Sequence, residues 1–98
     1  MKIDLSNNSV LITGSTGGIG KALCHSFAKV NAKVILHFNK QKDTAENLIN
    51  SLPGDGHSLI QADLSNSNET KDMVDSISDL NIVINNAALV EQIDINKM

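Results

Sequence analysis

The sequence predicts an α/β fold built on a doubly wound parallel sheet of about four strands. Two observations carry that expectation. Four short apolar runs alternate with three segments whose apolar residues recur at helical spacing, and that order implies parallel pairing with right-handed crossovers. Four glycines within seven residues, Gly14 to Gly20, also fall at the first strand-to-helix junction. The strand order that follows is 3-2-1-4.

Each element has its own signal. Ser9–Thr13 is a short apolar run bounded by polar residues and glycine, and reads as a buried strand. From Gly18 to Val30, Ile19, Leu23, Phe27 and Val30 fall at helical spacing and predict an apolar helix face. Lys33–Phe38 is the second strand. Ala45, Leu48, Ile49 and Leu52 form one helix stripe. Pro53-Gly54-Asp55-Gly56 then stops the helix and turns the chain. Ser58–Ala62 is the third strand. Asn66 and Glu69 have the spacing of a capping box, and Thr70, Met73, Val74, Ile77 and Leu80 continue the next helical stripe. Asn81–Asn85 is the fourth strand, and beyond Asn86 the pattern gives no clear element.

Composition narrows the function. The 98 residues make at most one domain, and the net charge of −3 with no basic cluster argues against nucleic acid. The single cysteine, Cys24, excludes an internal disulfide and suits a reducing compartment. The first residues lack an apolar signal region, and the apolar runs fall well short of the roughly 20 residues of a membrane span. A cytoplasmic protein without a membrane partner is expected.

A strand, a glycine loop and a helix start together make an anion site, because the first free N–H groups of the helix point outward and its dipole favours negative charge. Gly14 permits a sharp exit from the strand. Gly18 and Gly20 allow close approach of a phosphate and of the strand, and Ser15 and Thr16 can add hydroxyl hydrogen bonds. The triphosphate loop G-x-x-x-x-G-K-[ST] does not fit: Ser15 stands where its first glycine belongs and Ala22 replaces its hydroxyl. Nor does G-x-G-x-x-G, since Thr16 occupies its third position.

What does fit is Thr13-Gly14-Ser15-Thr16-Gly17-Gly18-Ile19-Gly20, which resembles the TGxxxGxG loop of the short-chain dehydrogenase/reductase family. Two further stretches match in order. Asp63-Leu64, at the end of the third strand, is similar to the family pair whose carboxylate receives the adenine amino group. Asn85-Asn86-Ala87-Ala88 resembles the family's NNAG, with Ala88 in place of glycine. The resemblance implies a Rossmann-type domain in which Gly14, Ser15, Thr16, Gly18, Ile19 and Gly20 face the pyrophosphate of NAD(H) or NADP(H). It places Asp63, Leu64, Asn86, Ala87 and Ala88 along the adenosine.

The end of the second strand bears on which dinucleotide is bound. An acid about 20 positions past the loop normally holds the ribose 2′-hydroxyl. Here His37-Phe38-Asn39-Lys40-Gln41-Lys42 contains no acid, and Asn39 and Lys40 favour NADP(H) over NAD(H). The plain alternative is that these lysines are ordinary solvated loop residues.

The family's chemistry implies a serine and a Tyr-x-x-x-Lys motif, and this chain contains no tyrosine. Residues 1–98 are therefore expected to be the cofactor-binding first part of the domain, inactive alone, with a non-enzymatic dinucleotide-binding module as the alternative. The fourth strand is expected to be an apolar edge that promotes self-association. His25, His37, His57 and Cys24 have no ligand-spaced partners and are expected to be structural or surface residues.

Overall fold

A computed structural model describes residues 3–86. The elements run β1 (Ser9–Ile12), α1 (Gly18–Lys29), β2 (Lys33–Phe38), α2 (Lys42–Ser51), β3 (Ser58–Gln61), α3 (Ser67–Ser76) and β4 (Ile82–Ile84). All strand pairs are parallel, and the order across the sheet is β3-β2-β1-β4, as expected. Val10 lies opposite Val34 on one side and Ile82 on the other, so β1, like β2, is an interior strand.

Side-chain alternation divides the sheet into two faces. On one face Val10, Ile12, Val34 and Leu36 pack with Cys24 and Ala28 of α1 and with Leu48 and Leu52 at α2. On the other, Leu11 packs with Ala62 and Met73, flanked by partly buried Ile35, Ile60, Leu64, Ile77 and Leu80. Val83 of β4 is 55% exposed. Among the described residues, the first face has two covering helices and the second has one.

Helix α1 does not bury the expected stripe. Ile19 is 62% exposed, and the buried positions are Gly20, Cys24 and Ala28. These three small residues at i, i+4 and i+8 let the helix axis sit close to β1, while Leu23 and Phe27 only flank the core. The helix ends in a Schellman motif: the Ala32 N–H donates to Phe27 O and the Asn31 N–H to Ala28 O. Asn31 takes the left-handed position there, at φ 72°.

The α3 stripe also ends sooner than its periodicity predicts. The helix stops at Ser76, and Ile77 is extended. Ile77 and Leu80 still reach the second core, but from the connection to β4. A shared device marks the ends of α2 and α3. The Ser51 hydroxyl donates to Leu48 O and the Ser76 hydroxyl to Met73 O, which satisfies carbonyls left orphaned at a helix terminus. Strands β1, β3 and β4 each end one residue before the expected limit, because Thr13, Ala62 and Asn85 already belong to the loops above the sheet.

At the start of α3, Asn66 Oδ1 accepts from the N–H groups of Asn68 and Glu69, at 3.0 and 3.2 Å. The Glu69 carboxylate does not reach back to Asn66, as a full capping box requires. It accepts instead from the Asp63 N–H at 3.1 Å. Among the described residues, no helix is long and apolar enough to cross a membrane.

Replacing Asn66 with alanine removes both accepted bonds. A loss of about 1 kcal/mol is expected, the usual size for an N-cap, read as a lower urea midpoint at unchanged slope. Burial pushes the Cys24 thiol up to about 11, against a smaller opposing effect of the Ser15 hydrogen bond. The native chain is therefore expected to resist thiol reagents near pH 8 and to label readily in denaturant. Because the folded value is raised, this thiol's contribution to stability is complete below the ordinary value of 9.0 and is lost as pH rises from there toward about 11. Cys24→Ala should flatten that alkaline slope in pH-dependent urea melts.

Candidate functional site

The carboxyl ends of the strands meet in a cleft of about 420 Å³. Its walls come from three places: Gly14 and Thr16 after β1, His37 to Gln41 at the end of β2, and Ala62 to Ser65 after β3.

The loop after β1 is held from several sides. Gly14 adopts φ 64°, a left-handed conformation that suits glycine. Its N–H donates to Nδ1 of His37 at 3.0 Å, and the next N–H, of Ser15, donates to His37 O at 3.0 Å. The Gly14 carbonyl accepts from Nδ2 of Asn86 at 3.1 Å. Gly20 completes the arrangement. A Cβ at position 20 would drive into the Gly14 carbonyl oxygen and lie 2.8 Å from the Ser15 Cα.

Helix α1 begins without a side-chain cap on Gly17 and without an acid in its first turn. The N–H groups of Gly18, Ile19 and Gly20 have no intrahelical acceptors by position, so they are donors for an anion. A Cβ added at Gly18 would meet nothing within 4 Å, which leaves open space at the start of the helix. The two glycines thus have different tasks. Gly20 allows backbone packing, and Gly18 keeps space clear.

Other expected site residues sort by position. Thr16, Asn39, Lys40, Asp63 and Leu64 line the cleft with Gly14. Gly18 and Ile19 are exposed at the adjoining helix start. Ser15 departs from expectation: its side chain is fully buried and its hydroxyl donates to Ile12 O, so it braces the loop from beneath. Asn86 is 3% exposed and sits behind the loop, away from the cleft lining. Its Oδ1 is buried without a partner among the described residues. Ala87 and Ala88 lie outside the described residues.

Asp63 accepts from both the Ser65 N–H at 3.0 Å and the Ser65 hydroxyl at 2.7 Å. Those bonds hold its carboxyl below the usual range, and the charge of Lys40 lowers it further. The Gln61 amide donates to Asn39 O at 2.7 Å and fixes the corner that carries Lys40. His37, Gln61, Ser65 and Glu69 were not expected at the site. Only His37 left a visible signal, as a polar residue within the apolar run of a central strand.

The sequence profile of the family described as short chain dehydrogenase matches residues 8–98. The chain belongs to the short-chain dehydrogenase family. It is 41% identical over 96 residues to the uncharacterized oxidoreductase YvrD of Bacillus subtilis, covering 93% of this chain and 36% of that protein. It is 31% identical over 87 residues to the 3-oxoacyl-[acyl-carrier-protein] reductase FabG of Rickettsia typhi, covering 89% and 35%. A solved short chain dehydrogenase from Bacillus anthracis superimposes with a TM-score of 0.76 at 26% identity, over 84% of this chain and 35% of that one. The chain spans about a third of the length of these relatives. It also covers 94% of the short-chain dehydrogenase/reductase homolog YusS of Bacillus subtilis, at 28% identity. In short-chain dehydrogenase terms, the described residues are the cofactor-binding Rossmann part of the fold.

The two glycines separate in a direct test. Gly20→Ala should cost about 3 kcal/mol, the upper end of overpacking, and lower the urea midpoint accordingly. Gly18→Ala should change stability by less than about 1 kcal/mol yet weaken dinucleotide binding roughly tenfold by filling the helix-terminal anion position. Urea melts and fluorescence titration with NADPH read the two effects.

Proposed function

We propose that this chain is the NADP(H)-binding portion of a short-chain oxidoreductase that passes a hydride between a nicotinamide and a carbonyl or alcohol carbon. The observation that carries the reading is the uncapped start of α1 beside a cleft with Lys40 at one wall and no acid at the end of β2. The residues present fit the group: Thr16, Asn39, Lys40 and Asp63 line one cleft, and the uncapped helix start beside it has open space at Gly18.

In this reading the N–H groups of Gly18 and Ile19 bind the pyrophosphate. The Asp63 carboxylate receives the adenine amino group. Asn39 donates to the 2′-phosphate, and Lys40 meets it as a point charge without a bidentate fork. The lowered Asp63 carboxyl stays ionised and able to accept through the neutral range. When bound, the nicotinamide supplies the hydride chemistry. This chain contains no tyrosine, the family's proton donor, so its residues bind and orient the cofactor without completing turnover. A solved relative from Brucella canis, described as an alternative dihydrofolate reductase complexed with NADP, matches with a TM-score of 0.65 at 27% identity and supports the 2′-phosphate assignment by analogy.

A thermal-shift titration tests the reading. NADPH at a hundred times its dissociation constant should add about 2.7 kcal/mol of stability, and Mg-ATP should add none. Lys40→Ala should weaken NADPH roughly tenfold, the scale of one charge-assisted contact, and leave NADH nearly unchanged. Equal loss for both dinucleotides would remove the 2′-phosphate assignment.

A further inference from the structure

His37 is 3% exposed, yet both of its ring nitrogens are bonded. Nδ1 lies 3.0 Å from the Gly14 nitrogen, and Nε2 lies 2.8 Å from the Ala62 carbonyl oxygen. Neither partner can change its role: a backbone N–H only donates and a carbonyl only accepts. Nε2 therefore carries the proton, Nδ1 does not, and the ring is neutral. The carbonyl of Ala62 selects the tautomer, and that choice is what makes Nδ1 an acceptor for the loop. The main chain of the same residue takes the Ser15 N–H. Two successive amides of the glycine loop thus hang on residue 37, one from its ring and one from its carbonyl.

We propose that His37 is a positioning residue for dinucleotide binding, a neutral bridge from Ala62 to Gly14 that holds the glycine loop in register with the far wall of the cleft; this rests on the dinucleotide reading above. Its ring serves through the loop. The backbone groups it ties belong to the two segments that the reading assigns to the pyrophosphate and the adenine. Gly14 opens the pyrophosphate loop, and Ala62 precedes Asp63. A lost bridge leaves a part-buried Gly14 N–H without an acceptor and frees the loop to shift.

Two substitutions separate the two bonds. In His37→Asn the amide oxygen takes the place of Nδ1 and can accept from Gly14. In His37→Gln the amide nitrogen takes the place of Nε2 and can donate to Ala62, while Gly14 loses its acceptor. NADPH affinity and the exchange rate of the Gly14 amide are measured for both variants and for the wild type. His37→Gln should weaken NADPH roughly tenfold and speed Gly14 exchange by a similar factor. His37→Asn should recover most of both. Nitrogen NMR of the wild-type ring should show a protonated Nε2 and an unprotonated Nδ1, a result that needs no variant to fold. A proton on Nδ1 overturns the proposal. So does undiminished Gly14 protection in His37→Gln, or an Asn variant as weak as the Gln variant. A wild-type chain that binds no dinucleotide overturns the reading of the function, and this proposal with it.

Discussion

A helix can begin directly above the end of β1 only if nothing bulkier than hydrogen stands between them. Gly20 meets that requirement against the Gly14 carbonyl. The rest of the site follows from the contact. With α1 seated so close, Cys24 and Ala28 are the side chains that fit beneath it, and they carry the seam one and two turns farther along. The first turn of the helix is then delivered to the mouth of the cleft with its amides outward. Moving the helix away by the width of a methyl group would disturb that seam and the aim of the amides together.

Histidine side chains secure the two ends of β2 in the same way. At the carboxyl end, His37 ties the glycine loop to the segment after β3. At the amino end, His57 Nδ1 accepts from the Val34 N–H at 3.0 Å, and its Nε2 lies 2.8 Å from Pro53 O. Each ring replaces a ladder partner where the sheet gives way to loop. Aspartate or glutamate could only accept at these positions, and lysine could only donate. A neutral imidazole does both within one rigid ring.

The strands were legible because each is a contiguous apolar run closed by polar residues, and four such runs separated by helical spacing admit few topologies. The glycine loop was legible because its backbone demands exclude other residues. Ile19 misled because apolar periodicity weighs hydrophobic size, whereas the seat of α1 selects smallness. Ile77 and Leu80 were correctly assigned to the core but not to their conformation, since period alone does not reveal where a serine hydroxyl closes a helix. Ser15 could have turned either way, and only the path of the loop directs its hydroxyl to Ile12 rather than to a ligand. The partners of His37 are distant in sequence, and nothing in the run Lys33–Phe38 names them.

Asn86 adds a connection between two neighbouring strand ends that are distant in sequence. It stands two residues past β4, which ends the sheet on that side among the described residues and whose Val83 is 55% exposed. From there its amide grips the Gly14 carbonyl. One support of the glycine loop is therefore rooted just past a strand that has no fully buried residue. A displacement of β4 would therefore pull on the Gly14 carbonyl, and a shift of that carbonyl would in turn release the Asn86 amide.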